Sequence, residues 1–318
     1  MTQPTRGDVH VNRALTNISV AYMQAADNFI SMSAFPAIPV QNRSDSYFIF
    51  DSPDMRRDNA KPRAPATPSA GSGFDLSTDT YTTEVYALHQ DVADQIRANS
   101  DPAVDLDRAA SQSVMQQLLI QKEINWMTNY FSTGVWTNQD DGGTDFSQWS
   151  DGSSDPEHDI DAGKNTILKT IGLMPNTLIA SYDVHQALKR HPLITNRYQY
   201  TSSESITPQL IARYFEVDRY LIAKASYVSS EEGAASTTNA FIAGKHALLC
   251  YVAPNPGLLV PSAGYTFSWS AFTGGNQGVR MKRFYMDELE ATRIEGEFAY
   301  DHKQVLDVAG YFFYSAVA

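Results

Sequence analysis

The chain has 318 residues, 42% of them hydrophobic and 19% charged, with a formal net charge of −12. That length and composition belong to a folded protein with a sizeable core and exclude an intrinsically disordered chain. The acidic balance argues against a protein whose main task is to grip nucleic-acid phosphates, and the single cysteine, Cys250 in the apolar run HALLCYV, excludes a disulfide framework and reads as a small buried hydrophobe.

The N-terminal stretch MTQPTRGDVHVNRALTNISVAY has no apolar h-region, and no run of about 18 apolar residues follows. Neither a secretory signal nor a membrane span is therefore expected. Residues 1–40 are thinly patterned and end in SAFPAIPV, where two prolines favour extended backbone. They read as an arm lying on something else. SYFIF (46–50) predicts a strand, and TYTTEVYALHQDV (80–92) predicts another. Between them, DSPDMRRDNAKPRAPATPSAGSGFDLSTD (51–79) has almost no large apolar residue from Met55 to Phe74, so it cannot build a core of its own. Two strands around such a stretch predict a long hairpin projecting from the body.

The strongest helix pattern is DPAVDLDRAASQSVMQQLLIQKEINWMTNYF (101–131), with Asp101 as cap and Pro102 at the first turn. Leu106, Ala110, Val114 and Leu118 step along one face, and Ile120, Ile124, Met127 and Phe131 extend a neighbouring row. At 1.5 Å per residue, about thirty residues give roughly 45 Å, the length of a spine. After a Gly/Asp-rich interval (138–161), a helix is predicted over 159–171. TLIAS (177–181) predicts a buried strand, YDVHQALKRH and TPQLIARYF (207–215) predict helices, and RYLIAKA (219–225) and AFIAGKHALLCYV (240–252) predict strands. In the closing stretch 278–317, Thr292, Ile294, Gly296 and Phe298 fall on one side and Arg293, Glu295 and Glu297 on the other, the pattern of a half-exposed antiparallel sheet.

Chemical motifs are weak. Ser181, Asp183, His185 and His191 stand close together, yet no G-x-S-x-G elbow surrounds Ser181 and the histidines are six apart, on different helix faces. The acidic interval lacks the spacing of a calcium loop, and AGKH (243–246) lacks the upstream glycine of a phosphate-binding loop. Asp105 and Asp107 stand at a helix start, where the dipole favours them. No catalytic, cofactor or metal residue is assigned, and no cofactor is expected.

The order of parts is more informative than any motif: arm, projecting hairpin, spine helix, α/β region, returning strands. The passages AKPRAPATPSAGSGFDLSTDTYTTEVYALHQDVADQIRANSDPAVDLDRAASQSVMQQLLIQKEINWMTNYF, PNTLIASYDVHQALKRHPLITNRYQYTSSESITPQLIARYFEVDRYLIAKASY and EATRIEGEFAYDHKQVLDVAGYFFYSAV resemble the major capsid proteins of tailed bacteriophages, the Hong Kong 97-type coat proteins. The resemblance spans essentially the whole chain. It implies an α+β fold with an N-arm (1–40), an E-loop (41–92), a peripheral P-domain with the spine helix (93–172), an axial A-domain (173–275) and P-domain return strands (276–318). It implies a virion protein made in the host bacterial cytoplasm, a homo-oligomer of pentamers and hexamers forming an icosahedral shell around double-stranded DNA. A separate scaffolding protein and a portal follow as partners. A decoration protein stays open, contact with packaged DNA is weak and non-specific, and no membrane is involved. Residues 1–40 are too short and lightly charged to be a built-in scaffolding segment, and no inter-subunit cross-link through Lys61 is expected.

Two segments are candidate inter-subunit contacts. Arg56, Arg57, Lys61 and Arg63 face only Asp54 and Asp58, a basic island in an acidic chain. The run containing Asp140, Asp141, Asp145 and Asp151 has no Lys or Arg and is its complement. Two readings compete with the phage shell: an encapsulin-type nanocompartment, which resembles the same fold, and a cytosolic hydrolase using Ser181 or the acidic loop.

Overall fold

The computed structural model describes residues 24–50, 56–73, 76–99, 105–198, 206–231, 233, 236–257, 260–274 and 278–318. In chain order the elements begin with β1 (Ala37–Val40), β2 (Ser44–Phe50), β3 (Leu76–Thr82), β4 (Glu84–Ala93), α1 (Asp94–Asn99), α2 (Leu106–Tyr130) and β5 (Asn138–Asp141). Next come α3 (Pro156–Ile171), β6 (Thr177–Ser181), α4 (Tyr182–Arg190), α5 (Pro192–Tyr198), α6 (Pro208–Tyr214), β7 (Arg219–Ala223), β8 (Ser226–Val228) and β9 (Asn239–Phe241). The chain closes with β10 (Ala247–Cys250), β11 (Gly264–Trp269), α7 (Ser270–Thr273), β12 (Val279–Met286), β13 (Ala291–Gln304) and β14 (Gly310–Tyr314).

The expected spine is α2, 25 residues long. Its start is set by Asp105, whose carboxylate accepts the Arg108 N–H at 3.0 Å; the cap expected at Asp101 and Pro102 lies outside the described residues. One row at four-residue steps, Ala110, Val114, Leu118, Lys122, Trp126 and Tyr130, is buried along the whole helix. The expected neighbouring row is half right. Met127 and Phe131 are buried, but Ile120 and Ile124 are only half-buried, because the straight row continues through a lysine that hydropathy passes over.

That row packs on a five-stranded sheet centred on β13, which is 14 residues long. β4 pairs along one side of β13; β12 and β11 share the other, and β1 adds to β11 in parallel. The alternation read from the sequence holds. Ile294 and Phe298 are buried towards α2, and at Gly296 the helix comes so close that an added Cβ would lie 2.7 Å from Leu118 Cδ1. The opposite face is an ion-pair lattice: Arg293 grips Asp91 by two bonds of 2.8 Å, and Glu297 accepts from Arg280 at 2.6 Å and Lys282 at 2.7 Å.

The second sheet runs β5-β14-β10-β6-β7. β6 and β10 are buried at every position, as befits strands covered on both faces. The stretch 240–252, expected as one strand, is two. Gly244 takes φ +60 between β9 and β10 and turns the chain. The acidic interval, expected as loop, contributes β5, which pairs in parallel with β14 from Asn138↔Tyr311 to Asp141↔Tyr314.

β2 and β3 form a separate two-stranded ribbon. Its base is fixed where Tyr81 stacks on Phe267 (centroids 4.4 Å) and Tyr47 lies 5.5 Å from the same ring. Beyond it, residues 56–73 are exposed at every position. The segment 29–35 lies on the chain's own spine helix: Phe29, Ile30, Ala34 and Phe35 are buried, with Phe35 4.7 Å from the Tyr130 ring.

Candidate assembly surfaces

A hairpin tip whose apolar side chains are all alanines and prolines meets a partner mainly through charge and shape. Arg56 donates to the carbonyl of Thr170, and its guanidinium lies over Gly172, 3.6 Å from where a Cβ would stand. These are the last residues of α3, whose free carbonyls and dipole favour a cation. Arg63 turns back on the tip, donating to the Thr67 carbonyl. Arg57 and Lys61 are exposed. Asp54 lies outside the described residues.

The acidic candidates sit at the other end of α3. Asp140 accepts the Tyr311 hydroxyl, and burial together with that carboxylate raises the Tyr311 phenol well above its ordinary value. Asp145 accepts the Asp141 N–H at 2.9 Å. Asp151 accepts the backbone N–H and hydroxyl of Ser153 at 2.9 Å each, and the N–H above all holds its carboxyl below the usual range. Asp155 caps α3 through the His158 N–H at 3.0 Å. The run thus shapes its own loop with one carboxylate oxygen after another, while Asp145, Asp151, Asp155 and Asp161 remain exposed. The 16 residues of α3 separate this loop from Arg56 by roughly 24 Å. The structure therefore does not bring the basic and acidic candidates together within one chain.

The serine and histidines considered for catalysis have structural partners. Ser181 is fully buried, and its hydroxyl caps α4 by accepting the Val184 N–H at 3.4 Å. His185 Nδ1 lies 3.1 Å from the Tyr220 hydroxyl, and burial lowers its pKa to about 4. His191 Nδ1 accepts the Leu193 N–H at 3.3 Å, so its proton sits on Nε2, 3.1 Å from Ser154 Oγ and 3.2 Å from the Asp151 carbonyl. A ring that presents N–H to a serine cannot act as its base. Among the described residues, no group of three or more His, Cys, Asp or Glu side chains could hold a metal, and no helix is long and apolar enough to cross a membrane. A groove of about 480 Å³ opens between the start of α2 and β12, but its Asp107 is already held by Arg97 at 2.6 Å and by Arg283.

The sequence reading missed the buried charges of the spine. Glu123 accepts the N–H groups of Ile30 at 3.1 Å and Ser31 at 2.9 Å. Lys122 points the other way, over the rings of Tyr300 at 5.1 Å and Phe298 at 5.7 Å, and burial brings its pKa down to about 8. Behind it His302, hydrogen-bonded to the Thr266 hydroxyl at 3.0 Å, is driven down to about 3, mostly by burial. Following the four-residue step from Leu118 would have found Lys122.

No protein-family model matches the chain. It is 24% identical over 264 residues to the major capsid protein of Burkholderia phage BcepMu, covering 80% of this chain and 82% of that one. A phage-related protein of Bordetella bronchiseptica superposes with a TM-score of 0.70 at 23% identity, over 96% of this chain and 97% of the other. The capsid structure of cyanophage P-SCSP1u follows at 0.61 and 12% identity over 98% of both chains. The SrpI encapsulin of Synechococcus elongatus lies further off, at 0.56 and 13% identity over 95% of this chain and 93% of that one.

Proposed function

We infer that this chain, whose fold is the α+β Hong Kong 97-type capsid fold, is the major capsid protein of a tailed bacteriophage, a structural subunit that assembles into the icosahedral shell enclosing double-stranded DNA. The observation that carries the reading is the match to a phage major capsid protein along 80% of this chain and 82% of that one. The exposed hairpin supports it. A two-stranded ribbon is marginal alone in water, and one whose whole tip, 56–73, is exposed gains its contacts from neighbours. On this reading 41–92 is the E-loop, 93–172 and 276–318 the P-domain and 173–275 the A-domain. A separate scaffolding protein and a portal belong to the same proposal.

The basic tip then docks on the acidic loop of an adjacent copy. Arg56, Arg57, Lys61 and Arg63 are offered by one subunit; Asp140, Asp141, Asp145 and Asp151 belong to the receiving one. Within a chain these groups stand at opposite ends of α3, which supports a contact in trans. Each exposed ion pair is worth only about 0–1 kcal/mol, so register comes from repetition around the shell. Arg56→Glu with Arg57→Glu slows assembly at low salt, followed by light scattering, and charge reversal in the acidic loop partly restores it. Unchanged kinetics across a salt series would remove this contact.

Electron microscopy of the purified protein, alone or co-expressed with its scaffolding partner, tests the capsid reading itself. Closed hollow particles are expected; a monodisperse monomer under both conditions refutes it. The encapsulin reading is favoured only by the shared fold, and particles loaded with protein cargo instead of DNA would decide for it.

A further inference from the structure

We propose, building on the capsid reading above, that Arg56 is a positioning residue: it anchors the projecting hairpin to the C-terminal end of its own α3 and so holds the rest of the tip in one direction for the neighbouring subunit. This role within the chain comes in addition to the part Arg56 takes in the contact between subunits.

The ribbon is fixed first at its base. Tyr81 and Tyr47 pack on the Phe267 ring, and the Thr82 N–H donates to Asp301 Oδ2 at 2.9 Å. From there the paired strands, seven residues each, carry the chain outward by roughly 20 Å. A ribbon of two strands held at one end alone is free to swing about that end. Arg56 supplies the second fixed point. Its guanidinium donates to the carbonyl of Thr170, one of the last four of α3, which a helix leaves without partners of its own. The same helix end carries the negative pole of the dipole. The guanidinium also lies against the turn at Gly172, which ends α3 at φ +76. Its Cζ and Nε are each 3.6 Å, and its Nη2 3.7 Å, from the place of a Cβ there. Three atoms at nearly one distance mean that the plane of the group covers the turn. A lysine ammonium has no such plane to offer.

Bonds within the tip pass this anchorage on. Asn59 Nδ2 donates to Ser72 Oγ at 3.1 Å, tying the outgoing chain to the returning one, and Arg63 donates to the Thr67 carbonyl. Lys61, exposed between Asn59 and Arg63, is carried in a set direction. A neighbour then meets a surface that docking does not have to order.

Two spin labels read the anchor in the unassembled subunit, one on Ser69→Cys in the tip and one on Asn165→Cys on α3; both positions are exposed, whereas Cys250 is fully buried and stays unlabelled. The distance distribution between them is expected to be narrow and to broaden in Arg56→Ala, with Arg56→Lys in between. In assembly followed by light scattering, Arg56→Ala should be slower by roughly fivefold, the magnitude of one exposed hydrogen bond. Charge reversal in the acidic loop should restore Arg56→Glu less than Arg57→Glu, because it does not rebuild the anchor on α3. Equal widths in the parent and Arg56→Ala, faster assembly of Arg56→Ala, or equal restoration of the two glutamate variants would each overturn the proposal. A parent chain that forms no shells would count against the capsid reading alone, and the label widths would still decide the anchor.

Discussion

Replacing Gly296 with alanine puts a methyl group into the seam between α2 and β13. The new Cβ would stand 2.7 Å from Leu118 Cδ1, 2.8 Å from Val114 Cγ1 and 3.0 Å from Met281 Sδ. Carbon atoms in a packed interior rest at about 3.5–4.0 Å, so helix and strand must part by close to 1 Å or two side chains must leave their wells. Val114 is β-branched and stiff in a helix, and both Val114 and Leu118 are buried. Overpacking of this kind costs about 1–3 kcal/mol, and two simultaneous overlaps place Gly296→Ala in the upper half of that range. Urea unfolding of the unassembled subunit measures it. The discriminating measurement is the double variant. Leu118→Ala alone costs about 2–5 kcal/mol as a cavity, but it removes the nearest overlapping atom. On that background Gly296→Ala should cost at least about 1 kcal/mol less. A change within about 0.5 kcal/mol for Gly296→Ala alone, or strict additivity in the double variant, would refute this account of the seam.

Cys250 is fully buried on β10, and burial pushes its thiol up to about 12; it should resist Ellman's reagent in the native subunit and react at once in denaturant, and rapid native labelling would show that β10 opens. His302 stays neutral in the fold, with its pKa near 3, but titrates near 6.5 when unfolded. Its contribution is therefore present above about pH 6.5 and lost as pH falls towards the folded value. The loss of stability between pH 6.5 and 4.5 should be shallower in His302→Gln than in the wild type, and parallel curves would contradict this.

What could be read from the sequence followed the periodicities. The spine helix, the strand at 177–181 and the two faces of the closing strand were legible because hydrophobic spacing sets them directly. Three kinds of element were not. β5 is spelled NQDD, residues with poor strand preference, and is a strand only because β14 lies beside it. α5 follows immediately after the turn at His191, and PLITNRY is too short to show a period. The buried stripe of α2 was lost at Lys122 and Glu123, where each charge has a specific partner outside the helix: aromatic rings for one, two backbone N–H groups for the other. The candidate contact residues were chosen by charge alone. Charge marked two segments, but it could not reveal that several of the acids also fold their own loop or that Arg56 reaches the end of α3.

The parallel pairing of β1 with β11 joins Ala37 to Thr266. During synthesis at roughly 5–20 residues per second, the ribosome needs on the order of 10–45 s to deliver the second strand after the first. Throughout that interval the edge of β1 lacks its β11 partner. The slow event for a newborn subunit is then the arrival of its last sixth, and a cell making many copies at once holds a standing population of chains with open edges. Slowing translation between residues 40 and 264 should lengthen that exposure and increase aggregation, while slowing it after β14 should not.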